Sequence, residues 1–176
     1  MALREATRAD VPAIGALMRR SVLEVFPRFH DERATASAAR HLTVPDTVLI
    51  DDGTYYVHEV DGEVVACGGW SRRDKLYTGS GPGASDDRPL DPATEPARVR
   101  AMFVRGDFTR RGLGRAILSR CVAAAREAGF RSLVLMATLP GEPLYRSFGF
   151  REVRRTLVPL PDGVVLEGVE MGYPLT

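Results

Sequence analysis

The stretch Met102 to Leu118, MFVRGDFTRRGLGRAIL, restricts the fold more than any other part of the chain. It opens with apolar residues that favour a strand, crosses a short polar segment at Gly106 and Asp107, reaches Gly112-Leu113-Gly114, and continues at helical spacing. Strand, tight loop and helix in that order call for a second strand, and the apolar run Arg131 to Ala137 supplies one, parallel to the first through a right-handed crossover. The helix between them carries Leu113, Ile117, Leu118, Cys121, Ala124, Ala125 and Ala128 on one face and closes at Gly129, so it packs close to a sheet. Its first N–H groups have no acceptor within the helix, and the summed peptide dipoles make that end partly positive. Arg110, Arg111 and Arg115 crowd the same end, where each cation is disfavoured by about 0.3–1 kcal/mol. A bound anion would reverse that sign.

Two familiar phosphate loops do not fit. The Walker pattern requires Gly-Lys-Ser/Thr, whereas Arg115 and Ala116 follow Gly114; a dinucleotide fingerprint needs a third glycine where Ile117 stands. The alternative to an anion loop is an ordinary helix start with glycines for close packing.

The other segments arrange themselves around this unit. Ala2 to Ala6 reads as a first strand; Thr7 and Asp10 then stand at capping-box spacing before a helix carrying Val11, Ile14, Leu17, Met18 and Val22. A second helical segment runs from Asp31 to Leu42 between Pro27 and Pro45. Tyr55 to Val60 and Glu63 to Trp70 form a hairpin around Asp61-Gly62. Ser71 to Pro96, rich in glycine and proline and without apolar periodicity, is expected to be a flexible insertion at about 71–96, partly disordered rather than a lid. Arg98 to Val104 is the fourth strand. After the crossover, Glu142 to Phe148 is a short helix, and Phe150 to Leu157 with Val164 to Met171 close the fold as a hairpin around Pro161-Asp162-Gly163.

Composition narrows the function classes. A chain of 176 residues, 44% hydrophobic, suits one domain spanning 1–176, which at this size buries about 70% of its unfolded surface. Lysine and arginine number 24 against 23 acidic residues, a net charge of +1, so no general attraction to nucleic acid or membrane is expected and any basic patch is local. Cys67 and Cys121 make neither a disulfide framework nor a metal set and read as small core residues. The opening MALREATRAD turns charged at once and no apolar run approaches a membrane span, so the expectation is a cytoplasmic, soluble protein.

Thr109-Arg110-Arg111-Gly112-Leu113-Gly114, preceded by Met102-Phe103-Val104, resembles the acyl-CoA loop of the GNAT superfamily of N-acyltransferases, Gln/Arg-x-x-Gly-x-Gly/Ala after a strand ending apolar-x-Val. Leu144-Tyr145-Arg146-Ser147-Phe148-Gly149-Phe150 matches a second signature of that superfamily, Leu-Tyr-x-x-x-Gly-Phe, in the right order and at the right separation. The two patterns span about Ala101 to Phe150. Departures are Thr109 for the leading Gln/Arg, Thr138 where many members have asparagine, and Gly141 where many have alanine.

The resemblance implies an α/β (α+β) fold: a mixed central sheet of about seven strands with a splayed parallel pair, strands 4 and 5, flanked by helices. It implies acetyl-CoA as cosubstrate, no metal, and transfer of the acetyl group to a primary amine of a small molecule or peptide. Backbone groups at Met102, Phe103 and Val104 would meet the pantetheine and thioester. The pyrophosphate would sit on N–H groups from Arg111 through Gly112, Leu113 and Gly114 to Arg115, with Arg110, Arg111 and Arg115 as charge-assisted donors to it or to the 3′-phosphate. A backbone N–H near Phe103 or Val104 would stabilise the oxyanion, and Tyr145 would protonate the leaving thiolate. The two N-terminal helices would border the acceptor, and the closing hairpin could pair across a homodimer. Neither strand 4 nor strand 5 carries a carboxylate to act as base. Glu59, His58, His41 and Glu142 are each more simply surface groups, so a water relay is expected. Trp70 and Tyr56 are cleft or core residues. The competing reading is a non-catalytic acyl-CoA-binding or regulatory module on the same fold; a nucleotide-phosphate binder is a third.

Overall fold

The computed structural model describes residues 2–75 and 88–175. Its elements run β1 (Ala2–Glu5), α1 (Val11–Val25), α2 (Glu32–His41), α3 (Thr47–Asp51), β2 (Tyr55–Val60), β3 (Glu63–Ser71), β4 (Ala97–Val104), α4 (Leu113–Glu127), β5 (Ser132–Thr138), α5 (Glu142–Phe148), β6 (Arg151–Pro159) and β7 (Val165–Pro174). The strands form one sheet in the order β1-β2-β3-β4-β5-β7-β6. Every neighbouring pair is antiparallel except β4 and β5, which are parallel. The expected mixed sheet with helices on both sides is therefore present.

Local chemistry accounts for the elements. The Thr7–Asp10 capping box starts a 3₁₀ turn that runs into α1, whose Ile14, Leu17, Met18 and Val22 are buried at helical spacing. The short helix α3 has no counterpart in the expected element order. Five residues are too few to show periodicity, and its start depends on Asp46, whose carboxylate accepts the Val48 N–H at 3.1 Å.

Two faces of the sheet are filled differently. Under α4 and α5, Leu113, Ile117, Leu118 and Cys121 pack on Leu133, Leu135, Ala137, Val169 and Met171. On the opposite face Ile14, Leu17 and Met18 of α1 meet Tyr55, Val57 and Cys67, while Val22, Phe26, Ala38 and Ala39 meet Leu160, Val164 and Leu166 at the end of the closing hairpin. Trp70 and Tyr56 belong to the core beneath α4 rather than to a cleft; each is 2% exposed and the indole N–H donates to the Tyr56 hydroxyl at 3.2 Å.

Residues 76–87 of the expected insertion lie outside the described residues. Its two ends are tied to the sheet: Ser71 completes β3, Arg73 and Pro89 form an antiparallel bridge, the Leu90 N–H donates to the Arg72 carbonyl at 2.8 Å, and the Leu90 side chain is buried.

Candidate active site

A parallel pair that stops pairing leaves backbone groups in need of partners. β4 and β5 are in register only at Ala97–Leu133 and Arg98–Val134, although β4 continues to Val104 and β5 to Thr138. Beyond Arg98 the two strands part. On the other side of β4 the register with β3 jumps from Gly69–Arg100 to Cys67–Phe103, so Ala101 and Met102 stand opposite the single residue Gly68. This is a β-bulge, and Ala101 takes the left-handed conformation, φ 54°. It also changes the phase of the strand. Ala97 and Val99 pack beneath α4, then Met102 and Val104 do so, while Ala101 and Phe103 face α1.

The direction of the main-chain groups follows from the ladder. The Arg105 N–H donates to the Val65 carbonyl at 2.9 Å, so by antiparallel alternation Arg105 and Phe103 face β3, and Met102 and Val104 face the gap left by β5. Of the three β4 residues expected at the thioester, Phe103 therefore presents its side chain to the α1 side and turns its own N–H toward β3. The Val104 carbonyl is occupied, accepting from Ser21 Oγ of α1 at 2.9 Å.

The anion loop follows directly. Arg110 (φ 63°) and Gly112 (φ 81°) are both left-handed, and this alternation of handedness gathers successive N–H groups into a concavity that binds anions. The first bond of α4 runs from the Ala116 N–H to the Gly112 carbonyl at 3.0 Å, leaving Leu113, Gly114 and Arg115 N–H without helical acceptors. The two glycines serve different ends. A Cβ at Gly112 would meet nothing within 4 Å, so that residue is required for its backbone conformation; a Cβ at Gly114 would lie 2.7 Å from Leu144 Cδ2, so that one is required for α4 to approach α5. The packing explanation of the Gly-x-Gly thus applies to its second glycine and not to its first.

Arg110, Arg111 and Arg115 form no ion pair with a described residue. The Arg111 guanidinium lies 4.7 Å from the Phe108 ring centroid and that of Arg115 lies 5.3 Å from that of Phe148. Arg105, close by, differs in being bound by Glu63 and Asp107. Thr109 spends its hydroxyl on the Gly106 carbonyl, at 2.9 Å. The result is a partly positive helix end with three unneutralised guanidinium groups around it, next to the open side of β4.

Tyr145 lies in α5, 8% exposed, edge-on to Phe150 with ring centroids 5.9 Å apart. Its hydroxyl makes no hydrogen bond to a described residue. Burial pushes the phenol above its usual range, so it is a proton donor at neutral pH. Gly141 makes room for it: a Cβ there would be 3.2 Å from Tyr145 Cε2. Thr138 Oγ1 accepts the Gly141 N–H at 3.2 Å and so holds the turn into α5.

The residues considered as bases have their contacts elsewhere. Glu59 is bound by Arg4, and His58, on the same strand β2, has both ring nitrogens enclosed without partners. His41 Nε2 is 3.8 Å from Asp162 of the closing hairpin; Glu142 is held below the usual carboxylate range by Arg146 first, with Arg155 adding to it. The sheet instead brings Glu170 of β7 opposite Met136 of β5, one strand from the gap on the α1 side, with its side chain 16% exposed and Arg154 at 3.1 Å. Nothing in the sequence marks Glu170, because its place depends on the β5–β7 register. On the same side, at the far end of β4, a cavity of about 120 Å³ is lined by Asp46, Ser71, Arg73, Lys75 and Arg100, with Arg100 and Asp46 paired at 2.8 Å. Among the described residues no group of His, Cys, Asp and Glu could hold a metal ion, and no helix is long and apolar enough to cross a membrane.

Comparison with known proteins agrees with this geometry. The profile of the acetyltransferase (GNAT) family matches residues 18–150. A search of the curated proteins by sequence finds no match. Among solved structures, a GCN5-related N-acetyltransferase from Rhodopseudomonas palustris superposes with a TM-score of 0.71 at 17% identity, covering 98% of this chain and 94% of that one. PaiA N-acetyltransferase from Thermoplasma acidophilum, in complex with coenzyme A, gives 0.67 at 11% identity over 98% of both chains. A ribosomal-protein-alanine N-acetyltransferase from Brucella melitensis gives 0.64 at 22% identity over 99% of both. With a splayed β4–β5 pair, an arginine-ringed helix end and a family profile covering most of its length, the chain belongs to the acetyltransferase (GNAT) family.

Proposed function

We propose that this chain transfers the acetyl group of acetyl-CoA to a primary amine on a small molecule or peptide by direct attack. The observation that carries this reading is the open side of β4, where Met102 and the Val104 N–H face a gap that begins past Arg98 and leads toward the anion loop, the Val104 carbonyl being held by Ser21. An extended amide-bearing chain would complete the β4 ladder there, and a pyrophosphate would meet the N–H groups of Gly112, Leu113, Gly114 and Arg115 with Arg110 and Arg111 beside it. The coenzyme A bound to PaiA, a protein of the same fold, supports the assignment of ligand.

The chemistry needs few groups. A neutral amine attacks the thioester carbon; a C–N bond forms while the carbonyl electron pair moves onto oxygen, where a backbone N–H of β4 donates to it. Collapse breaks the C–S bond, and Tyr145 gives its proton to the departing thiolate. The proton released by the new ammonium leaves through water, since β4 and β5 offer no carboxylate, and water returns one proton to the Tyr145 phenolate, which closes the cycle.

A thiol-release screen with acetyl-CoA against aminoglycosides, polyamines, amino acids and peptide N-termini tests the activity. In any amine that is accepted, Tyr145→Phe should lower turnover about 100-fold with coenzyme A affinity held; unchanged turnover removes the acid role. The missing carboxylate favours one second reading, a non-catalytic acyl-CoA-binding module. Thiol release above the hydrolytic background with any amine rules that out.

A further inference from the structure

Ala101 is a non-glycine residue in the left-handed region, a conformation that costs on the order of 1–2 kcal/mol. Such a residue persists only where its surroundings hold it. What holds it is a side chain two strands away: the Tyr55 hydroxyl of β2 donates to the Ala101 carbonyl at 2.7 Å. Cys67 Sγ, at 3.9 Å, is a weaker second donor to the same oxygen. Tyr55 pairs with Gly69 across β2 and β3, and a Cβ on Gly69 would lie 2.8 Å from Tyr55 Cδ1. The missing side chain at Gly69 leaves room both for the Thr54 carbonyl, which lies closer still to where that Cβ would sit, and for the tyrosine ring that crosses β3 to β4.

We infer that Tyr55 is a positioning residue for acetyl transfer: by holding the Ala101 carbonyl, it aims the Met102 N–H of the same peptide into the β4–β5 gap as the oxyanion donor. The inference rests on the acetyl-transfer reading above. A trans peptide is planar, so its C=O and N–H point in opposite directions. The Ala101 carbonyl points back across β3 to Tyr55, and the Met102 N–H therefore points away from β3, to the side that β5 has left. Met102 has no ladder partner on that side, because β4 and β5 are registered only at Ala97–Leu133 and Arg98–Val134. A hydrogen bond accepted at the carbonyl also polarises the peptide and strengthens its N–H as a donor. Tyr55 is 1% exposed, and burial raises its phenol well above the usual range, so the proton that makes this bond is retained throughout the neutral range. Asp46, Arg100 and Cys67 are the ionisable groups that act on it.

A tyrosine that merely braced the bulge would affect stability and leave the thioester carbonyl unaffected. The test is therefore the ¹³C resonance of acetyl-CoA labelled at the acetyl carbonyl, bound to the full chain. In the wild-type protein the resonance moves downfield on binding. In Tyr55→Phe it loses most of that displacement while unlabelled coenzyme A, which has no acetyl group, binds as before. With an accepted amine, turnover falls about tenfold at unchanged KM for acetyl-CoA. Should Tyr55→Phe fail to fold, 3-fluorotyrosine at position 55, a stronger donor of the same shape, moves the resonance further downfield. A carbonyl resonance that ignores both changes overturns the inference and leaves acetyl transfer standing. Absence of acetyl-CoA uptake by the wild-type protein is a different failure, that of the acetyl-transfer reading itself, and the role of Tyr55 falls with it.

Discussion

Replacing Gly112 with alanine separates the conformational demand of the anion loop from its packing. The added Cβ meets nothing within 4 Å, so the whole effect comes from φ 81°. Holding an L-residue there costs about 1–2 kcal/mol, offset by about 0.4–1 kcal/mol because alanine has less freedom than glycine in the unfolded chain. The net penalty is about 1 kcal/mol. It can be taken up in two ways. If the loop keeps its shape, the thermal midpoint falls by about 2–4 °C for a domain of this size. If φ relaxes, the midpoint holds, but the N–H groups of Leu113 and Gly114 turn out of the concavity and coenzyme A binds about fivefold more weakly. The buried Leu113 and Gly114 fix the start of α4, so the two losses together should come to the same total. Thermal unfolding with and without coenzyme A, combined with calorimetric titration, measures both. Gly112→Asn, which tolerates the left-handed region better, should lose less on each axis. An alanine variant with unchanged midpoint and unchanged affinity, or an asparagine variant worse than alanine, refutes the reasoning.

Other substitutions probe the remaining supports. Gly114→Ala drives a Cβ to within 2.7 Å of Leu144 Cδ2, a clash of about 1–3 kcal/mol offset by about 1 kcal/mol of helix propensity, so stability should fall by about 1 kcal/mol net and by less in a Leu144→Ala background; an equal effect in both backgrounds contradicts the close approach of α4 and α5. Asp10 is held down at about 2 by Arg4 first, with the Thr7 N–H assisting, so its contribution is complete above the unfolded carboxylate range near pH 4 and is lost as the pH falls toward 2. That contribution is on the order of 2 kcal/mol, and Asp10→Asn should flatten the acid limb of a pH-stability profile; a limb of unchanged slope removes Asp10 from it. Asp46→Asn keeps an acceptor for the Val48 N–H but removes the charge facing the buried Arg100, and should cost about 3 kcal/mol in urea unfolding; an unaltered midpoint means the pair contributes nothing.

Much of this arrangement is legible in the residues, and the exceptions share a cause. Period-2 alternation and Asp61-Gly62 define the β2–β3 hairpin, and the apolar stripe of α4 with the runs on either side defines the crossover, because local spacing alone carries that information. Strict alternation fails in β4. It would place Arg98, Arg100, Met102 and Val104 on one face, whereas the bulge at Ala101 returns Met102 and Val104 to the face of Ala97 and Val99. Alanine is not a turn residue, so nothing in the sequence announces the bulge, whose carbonyl at Ala101 accepts from Tyr55, a residue distant in sequence. Glu170 is similarly invisible, since its position beside the gap follows from a register set across β5 and β7. The anion loop lies at the other extreme: Gly112 and the three arginines are adjacent in sequence, and their consequence is local.

The most direct measurement is calorimetric titration of the purified chain with coenzyme A and with acetyl-CoA, repeated at rising salt. Saturable one-to-one uptake of both is expected well below millimolar concentration, weakening with salt as the charges of Arg110, Arg111 and Arg115 are screened, with no comparable uptake of ATP or NAD. No heat from either coenzyme at millimolar concentration, or equal binding of ATP, would contradict that expectation.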